Sequence, residues 1–137
     1  MHIQTGEVSF AGNPAYSEMP ALYHQSDIVV LPLLKETENI SVFEAWASRC
    51  ALIVTDVPER NAYIQHGINA IVVPSDNPGK LAEAIGLLAG DPELRNRLCD
   101  NGQRIVNEKF TWKQAANKTK QFYEEILAGG QNEQRKR

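Results

Sequence analysis

Two carboxylates, Glu36 and Glu44, stand eight positions apart in the stretch Glu36-Thr-Glu-Asn-Ile-Ser-Val-Phe-Glu44-Ala-Trp-Ala47. Ionised carboxylate oxygens accept hydrogen bonds from neighbouring hydroxyls of a polyol, and bonds to charged groups contribute about 1.5–3 kcal/mol each. The stretch ends in the first turn of a predicted helix. Its unpaired amides and partial positive charge suit a phosphate or diphosphate. Other readings compete. Ser41-Val-Phe-Glu44 also fits a capping box, in which hydroxyl and carboxylate serve the helix's own amides. Glu36 and Glu38 also fit solvated loop charges. A glycosidase using Glu36 and Glu44 as acid and nucleophile would need carboxyls about 5–5.5 Å apart across a sugar cleft. The loop lacks the aromatic platforms expected for that chemistry.

The elements around this stretch decide where it would sit. Asp27-Ile-Val-Val-Leu31 is an unbroken apolar run, which suits a strand covered on both faces of a parallel sheet. Before it, Glu7-Val-Ser-Phe10 reads as a short strand ended by Gly12-Asn-Pro14, and Tyr16 to Gln25 as a helix with Met19, Leu22 and Tyr23 on one face. After it come a helix over Val42 to Arg49, a strand over Ala51 to Thr55, a short helix over Pro58 to Gln65 and a strand over Asn69 to Pro74. Asn77-Pro78 opens another helix. Asp91-Pro-Glu93 supplies an N-cap, an N1 proline and an acidic first turn for the next. Gly102 within that helix costs about 1 kcal/mol relative to alanine and predicts a break. Thr111-Trp112 starts the last helix, which Gly129-Gly130 is expected to end. Residues 129–137 are expected to be a disordered tail.

Alternating strands and helices predict an α/β fold with a parallel sheet and right-handed crossovers. The expected architecture is a partial Rossmann-like three-layer sandwich, with a parallel sheet of about four strands and two extra C-terminal helices. Ligands of such sheets bind outside the strands' carboxyl ends, where the two glutamates are presented.

Composition narrows the function classes. With 137 residues, 42% apolar and 23% charged, the chain has material for one core. A formal net charge of −3 argues against nucleic acid as the main partner. Cys50 and Cys99 have no metal-ligand spacing and are too few for a disulfide scaffold, so a reducing cytoplasm is the expected compartment. No apolar run approaches 18 residues, and no signal peptide is visible at the N-terminus. Membrane contact is expected to be at most peripheral, through the basic end Gln134-Arg-Lys-Arg137. His24 and His66 read as surface or turn residues, Trp46 as core and Arg60 as a solvated cation.

Ser26-Asp-Ile-Val-Val-Leu-Pro32, followed by Glu36 and then Glu44-Ala-Trp-Ala47, resembles the retaining family 4 glycosyltransferases of the GT-B fold. Val8-Ser-Phe-Ala-Gly12 and Glu18-Met-Pro-Ala-Leu-Tyr23 resemble segments before that motif. Leu52-Ile-Val-Thr-Asp56, Gly67-Ile-Asn69, Val72-Val-Pro74, Asp91-Pro-Glu-Leu-Arg95 and Phe110-Thr-Trp112 resemble segments after it. The resemblance implies part of the C-terminal donor-binding domain, over residues 1–128. It implies a catalytic-site role for Glu36, bonding donor-sugar hydroxyls. It places the nucleotide ribose on Glu44, and the sugar or diphosphate near Asn39, Ile40 and Ser41. The implied reaction moves a sugar from a nucleotide sugar to an acceptor with retained configuration, without a metal or other cofactor.

The chain departs from the family pattern in places. Glu38 adds a third negative charge to the loop, Cys50-Ala51 replaces a usual Gly-Pro pair, and Pro58-Glu-Arg-Asn61 lacks expected glycines. Ala70 stands where glycine is common. The resemblance begins at the third strand of the family's C-terminal domain, without the upstream Arg and Lys that neutralise the diphosphate. The isolated chain is therefore expected to be inactive. An alternative is a non-catalytic binding or assembly module. An open sheet edge is expected to favour rearrangement, self-association or a separate N-terminal subunit.

Overall fold

The apolar runs become three parallel strands. The computed structural model describes Val8 and residues 10–34, 40–58 and 62–134, with side chains to 128. A 3-10 turn (Tyr16–Glu18) leads into α1 (Met19–His24), β1 (Ile28–Leu31), α2 (Ile40–Ala47), β2 (Ala51–Asp56), β3 (Ile71–Pro74), α3 (Pro78–Gly90), α4 (Pro92–Lys109) and α5 (Trp112–Gln134). The sheet order is β1-β2-β3. Ile28 pairs with Ala51 and Leu31 with Val54. On the other side of β2, Ile53 pairs with Ile71 and Asp56 with Pro74.

Successive strand residues face opposite ways, so two cores form, one on each face. Leu52 and Val54 pack with Tyr23, Val42, Ala45, Trp46 and Val106. Ala51 and Ile53 pack with Ile71, Val73, Ala84, Leu88 and Leu98. Thus α1 and α2 cover one face and α3 the other, while α4 contributes to both. The expected three-layer α/β architecture is present.

Local signals set several boundaries. The Asp91 side chain accepts from the Leu94 amide at 2.9 Å, as its N-cap reading requires, and the helix expected to open at Asn77-Pro78 does so with the Asn77 side chain accepting from the Lys80 amide at 3.0 Å. Burial corrects others. α4 runs through Gly102 without a break, because the glycine answers to Trp46 on α2 rather than to helix propensity. An added Cβ there would stand 2.3 Å from Trp46 Cδ1. The expected helix over Pro58 to Gln65 is absent from its described residues, which form turns. Here Asn69, 1% exposed, takes the backbone instead: its Oδ1 accepts from the Gln65 amide and its Nδ2 donates to the Tyr63 carbonyl, each at 2.8 Å.

The last helix passes Gly129-Gly130 and continues to Gln134, so the expected stop is not used. Residues 135–137 of the expected tail lie outside the described residues, as do Glu7 and Ser9 of the expected first strand. Val8 and Phe10 are exposed, and among the described residues the sheet has three strands rather than four. No described helix is long and apolar enough to cross a membrane.

Candidate functional site

The second turn of α2 carries the site. This helix follows the carboxyl end of β1, and Val42, Ala45 and Trp46 seat it on the sheet. Trp46 is fully buried, and its Nε1 donates to the Asn69 carbonyl at 3.0 Å. The helix ends in a Schellman arrangement: the Cys50 amide bonds the Ala45 carbonyl at 2.9 Å and the Arg49 amide the Trp46 carbonyl at 3.1 Å. With both faces of its attachment set, the helix holds Glu44 half-buried and turned toward α1.

Glu44 is met by two tyrosines. Tyr16 Oη donates to Glu44 Oε1 at 3.2 Å, and Tyr23 Oη donates to Glu44 Oε2 at 3.2 Å. Burial pushes the Tyr23 hydroxyl up from its ordinary value, with the Glu44 charge adding to the rise, so it keeps its proton and stays a donor. The Ser41 hydroxyl, one turn before Glu44, is near enough to Tyr23 to oppose part of that rise. Tyr16, Met19, Pro20, Tyr23, Glu44, Ala47 and Ser48 line a hollow of about 210 Å³. Glu44 is therefore committed to groups 21 and 28 residues away rather than serving only its own helix end. A carboxylate so placed already accepts hydroxyl donors, which is the chemistry of polyol recognition.

A second hollow, of about 290 Å³, opens at the strands' carboxyl ends, between Pro32, Leu34, Thr55, Pro74, Asp76 and Leu81. The Thr55 hydroxyl bonds the Leu33 carbonyl there and ties the chain leaving β1 to the end of β2.

The sequence-derived site residues divide accordingly. Glu44 and Ser41 come together around Tyr23. Ile40 is the first residue of α2 and is exposed. Glu36, Glu38 and Asn39 lie outside the described residues, as does Arg60. The tyrosines were missed as site members. Tyr23 reads as one more apolar residue on a helix face, and only its phenolic tip signalled a need for a polar partner. His66 uses Nδ1 to accept from the Val72 amide at 3.0 Å, a structural role. Among the described residues no cluster of three or more His, Cys, Asp or Glu is placed to hold a metal.

Comparison with known proteins agrees with this architecture. Over 119 residues the chain is 30% identical to an alpha-D-kanosaminyltransferase of Streptomyces kanamyceticus, covering 87% of this chain and 31% of that protein. Its fold matches that of a sucrose-phosphate synthase from Thermosynechococcus elongatus, with a TM-score of 0.81 and 24% identity over 91% of this chain and 31% of the other. It also matches Anabaena HepE, solved in complex with UDP-glucose, with a TM-score of 0.73 and 18% identity over 90% of this chain and 33% of that one. The chain thus spans about a third of the length of each. The family model described as "Glycosyl transferases group 1" matches residues 3–105, three quarters of the chain, and the protein belongs to that family.

Proposed function

We propose that this chain supplies the nucleotide-sugar-binding part of a glycosyltransferase that moves a sugar from a nucleotide sugar to an acceptor with retained configuration. Glu44 takes the ribose hydroxyls of the nucleotide. Glu36 takes hydroxyls of the donor sugar, and the chain from Asn39 to Ser41 lies beside the sugar or diphosphate. The carrying observation is the Glu44 carboxylate, half-buried at the wall of a hollow and already accepting two hydroxyl donors. HepE, a neighbour in fold, binds UDP-glucose. No metal enters the proposal; the diphosphate leaves against the amides opening α2, and such stabilisation of developing charge is a large part of the rate.

The isolated chain binds the donor without turning it over in this proposal. Transfer needs donor and acceptor held together, and alignment provides much of the acceleration. Calorimetric titration with UDP, GDP and ADP tests the reading. One nucleotide should bind, and Glu44→Ala should weaken it by about tenfold or more, as loss of bonds to a charged acceptor requires. Equal affinity for parent and variant would remove Glu44 from the site.

A second reading, an assembly module that acts with a separate N-terminal subunit, is favoured by α5. Trp112 is 91% exposed, and Phe122, Tyr123, Ile126 and Leu127 are exposed as well. Co-purification with such a subunit, and no nucleotide binding without it, would support this reading over the first.

A further inference from the structure

The two tyrosines on Glu44 differ in what holds them. Tyr23 is 8% exposed and belongs to the core beneath α2. Tyr16 is 78% exposed and sits on a three-residue 3-10 turn with no buried residue. That turn is closed by the Glu18 carboxylate, which accepts from the Ala15 amide at 2.7 Å, so its geometry does not depend on the Tyr16 ring. Rotating Tyr16 outward sacrifices little packing, whereas rotating Tyr23 outward opens the core.

The Tyr16 bond is also a loose one. At 3.2 Å it is longer than the usual hydroxyl–carboxylate separation of about 2.5–2.7 Å. A ribose hydroxyl arriving with better geometry would bond the same Oε1 more strongly. The hollow that Tyr16 helps wall is about 210 Å³. That is below the roughly 300–1,000 Å³ of typical ligand pockets, so a nucleoside needs more room than the tyrosine leaves.

We propose that Tyr16 is a displaceable competitor for the nucleotide: its hydroxyl occupies the Glu44 oxygen that a ribose hydroxyl takes, and binding expels it. This rests on Glu44 being the ribose ligand. The consequence is a tax on affinity, since only the fraction of molecules with Tyr16 turned away is competent to bind. Tyr16 is a positioning residue that sets the concentration at which the site fills.

Calorimetric titration of the full chain with UDP, parent against Tyr16→Phe, tests this. Phenylalanine keeps the ring and deletes the donor, and the urea unfolding curve should not move because the side chain is exposed. UDP should bind Tyr16→Phe about three- to tenfold more tightly, the net worth of an ordinary hydrogen bond, because the exposed, long Tyr16 contact falls short of a full bond to a charged group. Equal or weaker binding by Tyr16→Phe overturns the proposal, and if Glu44→Ala still loses affinity the reading of Glu44 survives it. If neither protein binds UDP, GDP or ADP, the ribose role of Glu44 falls, and the competitor role with it.

Discussion

Gly102 and Gly86 both lie within helices, yet alanine should act oppositely at the two. A Cβ at Gly86 meets nothing within 4 Å, and the position is exposed. Gly86→Ala should therefore stabilise by the helix-propensity difference, about 1 kcal/mol. At Gly102 the same methyl stands 2.3 Å from Trp46 Cδ1, 2.5 Å from Cγ and 2.6 Å from Nε1. Carbon atoms pack at about 3.5–4.0 Å, so the overlap exceeds an ångström and falls on a rigid ring.

The indole has nowhere to go. It is fully buried, its ring lies 6.1 Å from that of Phe43, and its Nε1 is bonded to the Asn69 carbonyl. Retreat would separate α2 from α4 and strand a buried donor. Overpacking costs about 1–3 kcal/mol. A lost buried hydrogen bond adds about 1–3 kcal/mol. Against a propensity gain of about 1 kcal/mol, the net expectation is destabilisation by about 1–5 kcal/mol. Domains of this size have about 5–15 kcal/mol in all, so the urea midpoint should fall visibly.

Far-UV circular dichroism through a urea titration measures both variants with one signal. Trp46→Phe, with its smaller ring, should rescue Gly102→Ala in part, giving a non-zero coupling in the double-mutant cycle. A Gly102→Ala protein as stable as the parent, or two alanine variants that shift in the same direction, would refute the clash with Trp46.

Arg49 has φ 61 at the left-handed position of the α2 C-terminus. Its ion pair with Asp100, at 2.6 Å and over half exposed on both sides, should contribute less than about 1 kcal/mol. Arg49→Gly should thus exceed Arg49→Ala in stability by about 1 kcal/mol, and equal unfolding midpoints for the two would refute the strain. Asn69→Ala should cost about 2–3 kcal/mol in urea unfolding, because the Gln65 amide and Tyr63 carbonyl lose their partner in a buried loop. A loss below about 0.5 kcal/mol, the usual surface effect, would mean that another partner replaces the side chain. Burial pushes the Cys50 thiol from its ordinary 9.0 up to about 11. Below pH 9 both states keep that proton. Between about 9 and 11 only the unfolded state loses it, so stability should fall across that window, less steeply in Cys50→Ala. An identical alkaline limb in parent and Cys50→Ala would refute the shift.

The parts of this fold that depend on neighbours in sequence were legible. Ile28–Leu31 and Ala51–Asp56 are strands because unbroken runs of Val, Ile and Leu suit a sheet covered on both faces, and Asn77 and Asp91 cap α3 and α4 through amides three residues on. What failed to show is contact across the chain. Gly102 looks like a weakness in α4 until Trp46, more than fifty residues earlier, is found against it. The loop before β3 looks helical until Asn69 claims the backbone groups of Tyr63 and Gln65. The site follows the same division. Glu44 could be picked out by its distance from Glu36 and its place in a helix's opening turns. Tyr16 and Tyr23 could not, because only the packing of α1 against α2 brings their hydroxyls to its carboxylate. In the proposed site the acceptor was therefore readable in the sequence, whereas the hydroxyl donors that meet it are brought from elsewhere by the fold. Changing Tyr16 should alter affinity without altering stability, and changing Tyr23 should alter both. That difference follows from which hydroxyl is anchored in the core and which is not.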